Sequence, residues 1–186
     1  MPFHSGPATA VMVLIMIAGV QKLIDPSSTS SALRGAGLPD ASILVRLLGL
    51  AEVVVGGAFL VWGGPVPAAV GAGFYLAFGV FVMVALIKDL PISNCGCLGS
   101  TETPPTVIHV LMNLGAAAVL VLAVIIPVAP LGGLVGQEVK TVVPYILFLG
   151  GSVYMLYALL TVLPLVSKRA LATASTPVAI PRRMGP

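Results

Sequence analysis

Charged residues are scarce in this chain of 186 residues. Only 8% of the residues are Asp, Glu, Lys or Arg and 58% are hydrophobic, whereas soluble domains contain about 25% charged residues. This composition excludes an ordinary soluble domain. The basic residues are scattered along the chain, so the formal net charge of +3 does not indicate a nucleic-acid partner. The composition therefore predicts an all-α, polytopic membrane protein in contact with lipid.

The apolar residues fall in five stretches, each close to the about 20 residues that a membrane-spanning helix needs. The predicted spans are residues 7–24, 41–62, 66–87, 106–128 and 141–166. No Lys or Arg precedes the first stretch and no small-residue cleavage site follows it, which favours a span over a cleavable signal peptide. We expect one transmembrane domain over residues 1–166, followed by a basic, Pro-, Ser- and Thr-containing tail, residues 167–186.

The few charges are distributed unevenly between the two sides of the membrane. With five spans, eight of the nine Lys and Arg residues lie on the side of the C-terminus, and only Lys140 lies opposite. Positive residues favour the cytoplasmic side, so we expect an external N-terminus and a cytoplasmic tail in a bacterial plasma (inner) membrane. The tail residues expected to contact anionic lipid or a partner are Lys168, Arg169, Arg182 and Arg183.

Polar residues inside the predicted spans are the first candidates for function. Glu52 lies about 16 Å into the second span at 1.5 Å per residue, on the same helical face as Gly49 and Gly56. An intramembrane carboxyl is costly to expose to lipid, which indicates either a packing role or a proton or substrate site. Lys22 is a further polar residue within a span, and Arg46 lies near the cytoplasmic end of its span, where its long side chain can reach the interface.

The fourth span carries a second polar face, formed by His109 and Asn113 one helical turn apart. Asn113 is expected at nearly the depth of Glu52, where a hydrogen bond between the second and fourth spans could form. His109 is either a hydrogen-bonded packing residue or a metal ligand or proton carrier. The fifth span carries Gly150, Tyr154, Tyr157 and Thr161 on one side, a candidate packing seam.

Cysteine is also scarce, and both cysteines lie in one loop as Cys95-Gly96-Cys97. The pair can form a strained, exchangeable disulfide, bind a soft metal ion or remain a reduced dithiol in a packing loop. Zinc would need two more ligands, and only His109 and Glu102 are close in sequence. We expect no metal and no other cofactor.

Several short motifs together resemble one known family. These are Ala18-Gly19-Val20-Gln21-Lys22-Leu23, Ala51-Glu52, Asn94-Cys95-Gly96-Cys97-Leu98-Gly99 and Asn113. Over roughly residues 8–125 the chain resembles the MauE family of the wider DoxX-like membrane proteins. The resemblance implies a four-helix membrane core, to which this chain adds a fifth span and a tail. The name-giving members are accessory factors for the maturation of methylamine dehydrogenase, and the family resemblance implies a role in forming its disulfides. By that resemblance Cys95 and Cys97 are the redox pair, and Lys22 and Glu52 belong to the family pattern.

Two functions remain open at this stage. The first is an integral membrane accessory subunit that docks on other membrane protein subunits of a larger envelope complex, such as a multisubunit transporter, for example of lipids. The second is a thiol-disulfide oxidoreductase or maturation factor that uses Cys95 and Cys97 as its redox pair. A cytoplasmic loop keeps thiols reduced, so the first function, which is not enzymatic, is favoured.

Overall fold

The computed structural model describes residues 5–39, 42–92, 105–129, 131 and 138–174, with the backbone alone for residues 163–174. These residues form helices and no strands, which confirms the all-α prediction. The helices are α1 (Ser5–Ile24), α2 (Ser27–Gly35), α3 (Ser42–Trp62), α4 (Pro65–Ile87), α5 (Val107–Ile125) and α6 (Val139–Ala174). All except α2 are long and apolar enough to cross a membrane, so the five predicted spans are confirmed among the described residues.

The helix bounds differ from the predicted spans by three residues or more at two places. The fourth span ends at Ile125, ahead of the predicted residue 128, because Ile126 is extended and Pro127 follows it. The last helix continues to Ala174, beyond the predicted residue 166. Leu, Lys, Arg and Ala favour helix in water as well as in lipid, so loss of the apolar pattern does not end α6. At 1.5 Å per residue its 36 residues extend about 54 Å, longer than the ~30 Å hydrocarbon core.

The helices α1 and α3 pack antiparallel as one close pair. A Cβ atom at Gly19 would lie 2.6 Å from the Gly49 carbonyl oxygen, and one at Gly49 would lie 2.7 Å from the Gly19 carbonyl oxygen. Further along, Gly56 faces Met16 of α1. Two glycines that face each other in this way let the backbones approach more closely than any side chain would allow.

The helices α4 and α5 form the second antiparallel pair. Gly79 faces Asn113 in this pair, where a Cβ atom would lie 3.3 Å from that of Asn113. The two pairs meet in a core in which Met12 of α1, Tyr75 of α4 and Leu120 of α5 are buried together. The Tyr75 hydroxyl donates a 2.5 Å hydrogen bond to the Val11 carbonyl oxygen and so ties α4 to α1.

The two remaining helices lie at the edge of this bundle. The short α2 packs against the end of α4, where Ala32, Ala85 and Ile92 are buried together. Before it, Asp25 accepts hydrogen bonds from the Ser27 hydroxyl and backbone N–H, which hold the pKa of its carboxyl below its usual value. The helix α6 runs beside α1, and Leu160 is buried against Leu14 and the residues around it.

Candidate functional site

The structure brings Lys22 and Glu52 together between α1 and α3. The Lys22 Nζ atom lies 2.9 Å from Glu52 Oε1 and donates a hydrogen bond of 2.9 Å to Oε2. Their side chains are only 1% and 0% exposed. Both residues were candidates on sequence grounds, but sequence alone did not predict that they pair.

Local packing brings the ion pair this close. Glu52 stands at the centre of the 21-residue α3, and its Cβ atom would lie 2.9 Å from a Cβ built on Gly19. Lys22 lies one helical turn further along α1, so the close contact at Gly19 and Gly49 brings Nζ within reach of the carboxylate. The Phe78 ring of α4 closes the site, with its centroid 5.2 Å from Nζ, a distance that suits a cation–π contact.

The side chains of Lys22 and Glu52 are almost completely buried. Removing both charges from contact with lipid is favourable, because a single charge at the centre of a membrane helix costs ~2.5–3.5 kcal/mol on the mildest scale. Oε1 accepts no hydrogen bond within the described part of the chain, although Nζ lies 2.9 Å from it. The arrangement can hold α1 to α3.

A second polar group lies at the start of α5. Thr106 precedes the helix in extended conformation, and its Oγ1 lies 2.8 Å from His109 Nδ1. The other ring nitrogen, Nε2, is buried and makes no hydrogen bond to any residue that the structure describes. Whichever nitrogen carries the proton, one polar atom of this imidazole has no partner among the residues that the structure describes.

Asn113 does not make the predicted bond to Glu52. Its Nδ2 donates a 2.7 Å hydrogen bond to the His109 carbonyl oxygen, one turn back along its own helix, while Glu52 pairs with Lys22. Similar depth in the membrane therefore did not predict the hydrogen-bond partners of Asn113 and Glu52, because depth does not show which helices are neighbours. Asn113 instead packs against Gly79 of α4.

The other candidate residues are either exposed or outside the described parts. Arg46 is exposed on α3 and takes no part in the pair. Cys95, Cys97, Arg182 and Arg183 lie outside the described residues, and of Lys168 and Arg169 only the helical backbone is described. Among the described residues no group of His, Cys, Asp and Glu could hold a metal ion.

Residues 3–129 match the family described as Methylamine utilisation protein MauE. The match includes both members of the buried ion pair and the second polar group on α5. The chain belongs to the MauE family. The matched residues include the four helices that form the two packed pairs, whereas α6 lies beyond them. No curated protein and no solved structure matches the chain.

Proposed function

We propose that this MauE-family protein is a non-catalytic accessory subunit that docks on a larger envelope complex through α6. The four matched helices supply a self-contained body, in which the ion pair and the glycine contacts hold α1 against α3. The helix α6 lies outside the family match. We therefore assign the docking role to α6, as a role specific to this chain. A multisubunit transporter, for example of lipids, is the kind of host we infer.

The observation that carries this proposal is the exposure of α6. Only 11% of its apolar span is buried, against 56% for α1. Phe148 packs over Gly6 and Leu160 packs near Ala18, so Tyr154 lies level with the middle of α1. Tyr154 is 72% exposed there. A hydroxyl that faces hydrocarbon has no water to bond, so a polar group on a neighbouring helix would stabilise it.

The region around Tyr154 also has space for a close neighbour. Gly150 lies one turn before it, and a Cβ atom at that position would meet nothing within 4 Å. Small residues beside an exposed aromatic residue suit helix association in lipid, which depends on close backbone approach rather than on hydrophobic burial. The length of α6, about 54 Å, carries the helix past the membrane, where its C-terminal part could contact a cytoplasmic partner.

Site-specific photo-crosslinking tests this proposal. A photoreactive amino acid at position 154 should give one dominant adduct with another membrane protein in native membranes. The same amino acid at Val54 of α3, which is 59% exposed, serves as the matched control and should give none. Adducts of equal yield at both positions, or adducts only with a second copy of the chain, would contradict docking through α6.

We place the protein in the bacterial inner membrane with its N-terminus outside and its tail in the cytoplasm. The structure supports one part of this placement: α1, α3, α4 and α5 alternate in direction, so Lys22, Arg34 and Lys88 lie towards one end of the bundle. Labelling of the native cysteines in intact cells with a membrane-impermeant thiol reagent tests it. Strong labelling before the cells are permeabilised would show that the cysteine loop lies outside, and so would contradict the proposed orientation.

The second candidate function is thiol-disulfide exchange by Cys95 and Cys97. The feature that favours it is His109, at the start of the helix that follows the cysteine loop, whose buried Nε2 has no hydrogen bond within the described part of the chain. A histidine can accept or supply the proton that thiol chemistry requires. Differential alkylation in intact cells should find a fraction of oxidised pairs if this function is correct. Cysteines that are always reduced, together with a functional double Cys→Ser variant, would exclude it.

A further inference from the structure

A large apolar cleft opens between α5 and α6, with α1 as its floor. Its volume is about 740 Å³, in the range of about 300–1,000 Å³ that is usual for ligand sites. Val11 and Leu14 form the floor, Leu111 and Gly115 belong to the α5 wall, and Phe148 and Met155 belong to the α6 wall. The cleft exists because α6 packs along α1 but makes few contacts with α5.

The chemistry of the lining selects a hydrocarbon occupant. Three polar side chains belong to the lining, Tyr75, Asn113 and Ser152. The Tyr75 hydroxyl donates to the Val11 carbonyl oxygen, and Asn113 donates to the His109 carbonyl oxygen. The remaining lining is aliphatic, aromatic or thioether in character. A charged headgroup would lose its hydration here without gaining an oppositely charged partner, whereas a hydrocarbon chain would lose nothing.

The size of the cleft suits a long lipid chain. A site of about 10–15 Å³ on the same measure already holds a water molecule, and a methylene group is of similar size. At about 740 Å³ the cleft therefore has room for the many methylene groups of an acyl chain.

We propose that one acyl chain of a bilayer phospholipid inserts between α5 and α6 and remains bound when the protein is extracted. The spans place the cleft inside the bilayer, where acyl chains are the molecules at hand. The inserted chain fills the gap that α5 and α6 leave and so completes the attachment of α6 to the family-matched body. This site is separate from the exposed face at Tyr154, and it does not depend on the docking proposal.

Two neighbouring glycines give a matched pair of variants. Gly151 lines the cleft and Gly150 does not, and a Cβ atom at either position would meet nothing within 4 Å. Gly151→Leu should fill the cleft and leave the fold intact. Gly150→Leu should change neither the cleft nor the fold. Gly115→Leu fills the cleft from the opposite wall, with the same open space around its Cβ position.

Lipid analysis of the purified full chain, by native mass spectrometry in mild detergent, reads out the site. Wild type and Gly150→Leu should retain stoichiometric phospholipid, and Gly151→Leu and Gly115→Leu should show a roughly tenfold loss. Equal retention by all four proteins, or no retained lipid in wild type, would overturn the proposal.

A second measurement keeps the proposal testable if the filled variants do not fold. Wild-type protein is reconstituted in vesicles of phosphatidylethanolamine and phosphatidylglycerol that contain a phospholipid with a photoreactive acyl chain. Adducts should concentrate on Leu111, Phe148 and Met155 of the cleft walls. Adducts spread evenly over the exposed faces of α3 and α4, or crosslinks to a second protein chain at the cleft, would contradict a bound lipid chain.

Discussion

The buried pair of Lys22 and Glu52 gives the most informative perturbation of the fold. Lys22→Met and Glu52→Met each remove one charge and keep most of the side-chain volume, and the double variant removes both charges. Each single variant leaves a charged partner whose side chain is at most 1% exposed. Such a charge costs ~2.5–3.5 kcal/mol in a membrane helix and ~3–5 kcal/mol when a buried pair is broken.

We therefore expect each single variant to lose about 3 kcal/mol of unfolding free energy, roughly a hundredfold in the unfolding equilibrium. The double variant should lie within ~1 kcal/mol of wild type, because replacement of a buried pair by apolar groups is often neutral. Arg46→Met is the control: Arg46 is exposed on the same helix as Glu52, and its loss should change stability by less than about 0.5 kcal/mol.

Reversible unfolding in mixed detergent micelles measures these differences, with the four proteins of the cycle compared under one condition. Additive losses, with the double variant as unstable as the sum of the singles, would refute the pairing, because additivity means that the two residues do not interact. A double variant that is stable but fails to support the function of the protein in cells would show that the pair has a chemical role as well as a structural one.

Two further predictions concern close contacts in the bundle. Gly49→Ala places a Cβ atom 2.7 Å from the Gly19 carbonyl oxygen and should cost about 1–3 kcal/mol in unfolding free energy; Gly57→Ala, whose Cβ atom meets nothing within 4 Å, should change little, and equal effects would contradict the helix contact. Tyr75→Phe removes the hydrogen bond to Val11 and should cost about 1 kcal/mol in the same assay; an unchanged stability would show that this bond does not tie α4 to α1.

The sequence predicted the helices and their buried faces better than their partners. Glycine and polar residues at helical spacing correctly marked the packed face of α3 that contains Gly49, Glu52 and Gly56. Periodicity shows which face of a helix is buried but not which helix covers it. For that reason Lys22 and Glu52 were candidates whose contact was missed.

Two other features could not be read from the sequence for different physical reasons. The continuation of α6 to Ala174 was missed because apolar periodicity marks the membrane part of a helix, and good helix formers can extend it into water. The cleft between α5 and α6 arises from a gap between two helices, so no single stretch of residues encodes it. Opposite charges within two neighbouring spans were the one available signal for the ion pair.

The central claim, that α6 attaches this MauE-family body to a larger complex, is tested most directly by crosslinking from position 154 in native membranes. The complex is then purified in mild detergent, and the adduct is quantified against the adduct from position 54. The account predicts one membrane protein partner, present in stoichiometric amount and linked only through position 154. A protein that purifies alone, with equal and nonspecific adducts from both positions, would contradict it.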